Sequence, residues 1–318
     1  MNRLLIKLLK VFIRRFARYH GFLDPIDLLA RLTRFGQPSE VAVPTELLRA
    51  GAAMHARGLL NSQAIQYNMD WVWPFWVNRQ FDPEDPSFVP RAFSLTHINL
   101  THRNWTSVGL PDREELVLVD PRGLVTPFRD GWSFDFWVNP GNERPRSLAE
   151  AETVDQTLDL EGAPEVTTSV EFPRQSLEST VRVEGIPEVV QGCFQAPRCV
   201  VETRVHSDVD GWFTVGLRPY NPEGVSTIEA IQVRPDRRGW TVEDDERQID
   251  VVFDPLPDRH LLSNYDRGDV RREFPDPEPG DRIECSLGMS NAGASYRLEA
   301  GESLTVRTSV PLGGSSSS

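Results

Sequence analysis

The chain has 318 residues, a formal net charge of −13 and only three cysteines. That length fills one large β domain plus an appendage, or two ordinary domains, and the acidic balance argues against a nucleic-acid partner, whose phosphates it would repel. Cys193, Cys199 and Cys285 are too few for a disulfide framework. They fit buried thiols in a reducing cytoplasm, which is the expected location. No histidine stands near Cys193 and Cys199 to complete a ligand pattern, so neither a metal nor a cofactor is expected.

Charge is uneven along the chain. Arg3, Lys7, Lys10, Arg14, Arg15 and Arg18 fall in the first twenty residues with no acid among them, leaving 28 bases against 47 acids in the rest. Bases at 3, 7, 10, 14 and 18 recur at helical spacing, with Leu5, Leu8, Leu9, Phe12, Ile13 and Phe16 opposite, so an amphipathic helix is expected. Six buried bases exclude a spanning segment, and the interrupted apolar run argues against a secretory signal. Two readings stay open. The helix packs on the acidic body, or it lies on an anionic membrane through Lys7, Lys10, Arg14 and Arg18, a peripheral contact by residues 1–20.

Asp24-Pro25 supplies a cap and first-turn proline for a second helix, and Thr45 caps a third whose period fades near Asn61. An aromatic run follows. Trp71, Trp73, Phe75, Trp76 and Phe81 crowd eleven residues, and six of the eight tryptophans lie between Trp71 and Trp137. Each such ring buries roughly 150–250 Å². Core, an interdomain seam or a sugar polymer could cover them.

From residue 90 onward apolar residues mostly alternate with polar ones, the period of a strand with one buried face. Trp132, Phe134, Phe136 and Val138 point one way, Ser133, Asp135 and Trp137 the other. More than ten such segments, at 116–120, 166–172, 179–185, 199–205, 212–219, 227–233, 248–254, 282–288, 294–300 and 303–310 among others, are separated by turn residues such as Pro121-Arg122-Gly123, Asn221-Pro222-Glu223-Gly224 and Arg238-Gly239. The expected fold is therefore mainly β, a large antiparallel β-sandwich preceded by two or three short α-helices. The domains expected are a helical segment 1–60, a sandwich 61–312 and a flexible tail 313–318.

Chemistry-bearing patterns are sparse. A glycosidase needs two carboxylates flanking one bond; Asp82, Glu84, Asp85, Asp130 and Asp135 are candidates, but 47 acids make such pairs common, and turns, strand ends and solvated faces account for them. Glu243 to Glu246 reads as a solvated hairpin tip. No G-x-S-x-G elbow occurs, phosphate loops and dinucleotide fingerprints are missing, and the spacing of His97 and His102 turns them to opposite faces of a strand.

The segments QYNMDWVWPFWVNRQFDP, FSLTHINLTHRNWTSVG, VDPRGLVTPFRDGWSFDFWV and LRPYNPEGVSTIEAIQV, continued by HLLSNYDRGDV and NAGASYRLEAGES, resemble the N-terminal β-domain of bacterial glycogen-debranching-like glycoside hydrolases, relatives of amylo-α-1,6-glucosidase and glucoamylase-like enzymes. The resemblance spans roughly residues 60–312. It implies a super-sandwich that braces a catalytic (α/α)6 barrel, with the catalytic glutamates in that barrel and absent from this chain, so no catalytic residue is assigned. The partner it implies is that barrel domain, with α-glucan as a further one. Trp71, Trp73, Phe75, Trp76, Trp132 and Trp137 are the candidates for the seam or for sugar contact; the alternatives are a stand-alone glucan-binding module using Trp71, Trp73 and Trp76, and a self-sufficient glycosidase.

Overall fold

A computed structural model describes residues 105–313, except 112, 130, 186–196, 222, 223, 245 and 246, and gives only the backbone of 224 and 225. These residues fall within one compact unit. The three expected helices, the aromatic run 71–81, His97, His102, Asp82, Glu84, Asp85, Asp130 and Cys193 lie outside the described residues.

The described chain is mainly β. It opens with β1 (Thr106–Gly109), β2 (Leu116–Val119), β3 (Val125–Thr126), β4 (Ser133–Pro140) and β5 (Arg146–Ser147), then β6 (Val154–Asp159), β7 (Glu165–Phe172), β8 (Gln175–Glu184) and β9 (Arg198–Ser207). Next come β10 (Gly211–Arg218), the small pair β11 (Tyr220–Asn221) and β12 (Gly224–Val225), β13 (Ala230–Val233), β14 (Gly239–Asp244), β15 (Arg247–Asp254) and β16 (Arg259–Ser263). β17 (Arg282–Glu284), β18 (Asn291–Leu298) and β19 (Glu302–Pro311) complete it. One sheet of eight strands runs β1-β2-β3-β4-β10-β18-β16, with β5 beside β4; the other, of nine, runs β17-β13-β14-β15-β19-β9-β8-β7-β6. Neighbouring strands are antiparallel.

The two sheets pack face to face as a β-sandwich. Phe134, Phe136, Val138, Phe213, Val215 and Tyr296 of the first meet Val170, Leu177, Val181, Val201, Trp240 and Phe253 of the second in one buried cluster. Alternation drives this packing, because every second side chain of a strand faces the same way. In the nine-stranded sheet the pattern is obeyed, as in β8, where Gln175, Leu177, Ser179, Val181 and Val183 are buried. Thr167, Thr180, Glu178 and Arg204 fall on its other face. Hairpins set the register: Phe172 pairs with Gln175 across a two-residue turn, and β14 starts at Gly239, where a Cβ would stand 1.8 Å from the Val251 carbonyl oxygen.

The eight-stranded sheet departs from the one-sided expectation. Residues 133–139 of β4 and all of β10 are buried, so both faces of its centre are covered. Val270 and Phe274, from the connection after β16, pack with Trp137, Trp212 and Leu261 on the side away from the main core. Strands β1, β3, β5, β6, β11, β12, β14 and β16 fall outside the expected segments, and 282–288 is strand only as far as Glu284. β16 is too short to show a period, and β14 runs into the acidic stretch. That stretch does sit at the β14–β15 hairpin end, but Asp244 is buried and paired with Arg247 rather than solvated. Cys199 and Cys285 are buried free thiols, and burial pushes the Cys199 thiol up to about 12.

Candidate functional site

The covered face of the eight-stranded sheet gathers the polar residues that carry chemistry. β4 and β10 run antiparallel with Asp135 opposite Gly216, Trp137 opposite Thr214 and Ser133 opposite Arg218. The Trp137 indole folds across Gly216, where a Cβ would lie 2.2 Å from its Cζ2. Only glycine admits the ring there. Its Nε1 donates to Asp135 Oδ2 at 2.7 Å.

Asp135 also accepts from the Phe136 amide at 2.9 Å and from Ser147 Oγ at 2.8 Å. Ser147 in turn accepts from Ala149 N, and Glu150 accepts from the Ser147 amide, a capping box that starts a 3-10 turn at Leu148–Glu150. Glu150 then accepts from Arg271 Nη1 at 2.8 Å, Arg271 Nε donates to Asp269 Oδ2 at 2.7 Å, and Asp269 Oδ1 accepts from Arg218 Nη1 at 2.8 Å. The Arg218 guanidinium lies 5.2 Å from the Trp137 ring centroid and 5.3 Å from that of Tyr220, so it is packed between two electron-rich rings.

Electrostatics follow from burial and pairing. Burial raises the Asp135 carboxyl above its ordinary value, against the pull of Trp137, Arg218 and Ser147. For Asp269 burial pushes the same way, but Arg218 and Arg271 outweigh it and hold the carboxyl well below the usual range. Burial lowers Arg218 and its pairing with Asp269 overcomes that, leaving it above its usual value. Burial takes the Tyr220 phenol to about 12. Beyond the cluster, Asp120 accepts from the Arg122 and Leu124 amides, and burial carries it to about 7.

These bonds leave both buried carboxylates engaged by protein donors. Asp135 is therefore neither a strand end nor a solvated acid, as its sequence context implied. Asn291 extends the network, accepting from the Val270 amide at 2.7 Å and donating to the Gly268 carbonyl. Asn221 donates to the Gly131 carbonyl at 2.8 Å. Of the aromatic candidates within the described residues, Trp137 belongs to this cluster, and Trp132 stands in the inter-sheet core, edge-on to Phe128 and Phe134. Neither ring has exposed surface. Arg218, Asp269, Arg271, Ser147 and Tyr220 were not singled out from the sequence. Their only signal is charge within apolar strands and turns, and pairing them requires the topology. Among the described residues no group of three or more His, Cys, Asp or Glu is placed to hold a metal ion, and no helix is long and apolar enough to cross a membrane.

The fold class is thus an antiparallel β-sandwich with one doubly covered sheet. No protein family model matches the sequence, and no curated protein matches it. Among solved structures, the chain is similar to a bacterial glucoamylase complexed with acarbose, at 8% identity and TM-score 0.47, covering 69% of this chain and 33% of that one. It is also similar to a chain described as a kojibiose phosphorylase from human microbiome, at 9% identity and TM-score 0.32, covering 65% of this chain and 25% of that one. The present chain therefore spans a third or less of the length of these proteins.

Proposed function

We infer that the sandwich is a noncatalytic supporting module of a glycogen-debranching-type glycoside hydrolase acting on α-glucans, and that it braces a catalytic helical barrel. One observation carries this reading. Of the segments on which the resemblance rests, 66–83 and most of 93–109 lie outside the described residues. Among the others, 119–138, 217–233 and 260–270 are distant in sequence, yet Asp135 and Trp137, Arg218 and Tyr220, and Asp269 join in a single buried network, and Asn291 of 291–303 accepts from the neighbouring Val270 amide. Their distinctive residues hold strands and turns together. Asp135 and Asp269 are saturated by Trp137, Ser147, Arg218 and Arg271 rather than offered to a substrate.

Such a network suits a rigid brace, since a buried cluster of mutually bonded polar groups favours one arrangement of the strands around it. The test is glucose release from a branched dextrin by the purified 318-residue protein, run beside affinity electrophoresis in glycogen. No glucose is expected. Sustained release that scales with protein concentration would overturn the noncatalytic reading.

A further inference from the structure

At one end of the sandwich the β4–β5 hairpin of one sheet meets the β7–β8 turn of the other. Between them lies a depression of about 170 Å³, with Pro140, Glu143, Arg146, Phe172, Arg174 and Gln175 in its lining. That is smaller than ordinary drug-sized pockets of roughly 300–1,000 Å³, so it suits a small ligand. Its base is firmly tied: Gln175 Nε2 donates to the Asn139 carbonyl at 3.3 Å and to Ser207 Oγ at 3.2 Å. Asp208 N donates to the Arg174 carbonyl at 2.9 Å, and Gly141 N to the Asp210 carbonyl at 2.7 Å.

Arg174 is the unusual residue. It follows Pro173 in the two-residue turn with φ of +80°, a position that glycine or asparagine fills without strain. Backbone strain kept in place points toward a use for the side chain. Among the described residues the other non-glycine residue with positive φ, Arg237, has such a use within the fold: its guanidinium pairs with Asp281 and its carbonyl oxygen lies 3.0 Å from His260 Nε2. Among the described residues the Arg174 guanidinium has no hydrogen bond, ion pair or ring contact. Arg146 has one loose partner, Glu143 at 3.6 Å, with both side chains about half exposed. Exposed pairs of this kind are weak and give way to a better acceptor.

We propose that this depression binds a phosphate group, presented by inorganic phosphate or by a phosphorylated sugar, between Arg146 and Arg174. Guanidinium forks match phosphate oxygens bidentately. Two such groups against the single carboxylate of Glu143 leave the rim net positive in a chain of net charge −13. Phe172 and Pro140 supply an apolar wall for the carbon skeleton of a sugar, and Glu143 accepts from a hydroxyl. This inference is independent of the proposed bracing role, and its failure would leave that role untouched.

The test is calorimetric titration of the full chain with inorganic phosphate, glucose 6-phosphate and glucose. Saturable binding of one or both phosphates is expected, with none for glucose; tighter binding of glucose 6-phosphate assigns the site to a phosphorylated sugar, and equal binding to phosphate itself. Arg174→Gly and Arg146→Ala should each weaken phosphate binding at least tenfold. Arg174→Gly should also melt no lower than the parent protein, because glycine relaxes the turn, so its loss of binding is not a loss of fold. Absence of saturable phosphate binding, or binding unchanged in Arg174→Gly, would overturn the assignment.

Discussion

Replacing Arg218 with methionine isolates the buried ion pair. Methionine keeps an unbranched stem between Trp137 and Tyr220 but removes the guanidinium, and the side chains of Arg218 and Asp269 are only 1% and 6% exposed. Breaking a buried pair by removing one partner costs about 3–5 kcal/mol, because the other charge is left without full compensation. Here Asp269 retains Arg271 at 2.7 Å, which places the expected loss near the lower end, about 3 kcal/mol. Urea unfolding followed by tryptophan fluorescence measures it directly. In the double variant Arg218→Met/Asp269→Asn the loss should fall short of the sum of the single losses by about 0.5–3 kcal/mol, since neither charge is then stranded. A loss under about 1 kcal/mol for Arg218→Met, or strict additivity in the cycle, would refute the account of this cluster as a coupled buried network.

Gly216→Ala should destabilise by about 1–3 kcal/mol through overpacking, since the new Cβ would meet the Trp137 indole at 2.2 Å; equilibrium unfolding with unchanged m checks it. His260 accepts from Trp240 Nε1 at Nδ1, and its Nε2 faces the Arg237 carbonyl, so the fold holds one neutral tautomer. Burial depresses its pKa, with the Arg237 charge adding to that and the Arg237 carbonyl and Asp281 opposing. The unfolded chain then binds the extra proton first, so stability should decline as pH falls below about 6.5, and melting curves of His260→Gln should lack that increment. Asp120 has the opposite sign: burial raises its folded value to about 7, so its neutral form favours the fold and stability is lost as pH rises from about 4 toward 7. Asp120→Asn, which keeps an acceptor for the Arg122 and Leu124 amides, should melt higher than the parent at pH 8 and show little difference at pH 4.

Local chemistry made much of the architecture legible in the sequence. Period-two alternation located β4, β7, β8, β9, β10, β15, β18 and β19, because a strand with a buried face must place its apolar residues at every second position. It also separated the side of Trp132, Phe134, Phe136 and Val138 from that of Asp135 and Trp137. It did not show that the second side is buried as well. Alternation reports polarity, and a polar side chain can face water or a partner supplied by a distant segment. Ser133, Asp135 and Arg218 look solvent-facing until Tyr220, Ser147, Asp269 and Arg271 are brought to them from up to 136 residues away. The identity of these longer alternating strands was thus determined by the amino-acid order alone, whereas short or non-alternating strands such as β6, β14 and β16 were not. Which strands became neighbours, which face of the eight-stranded sheet was covered, and which charges met there were decided only by tertiary packing, because burying an ion costs too much unless an opposite charge arrives at the same place.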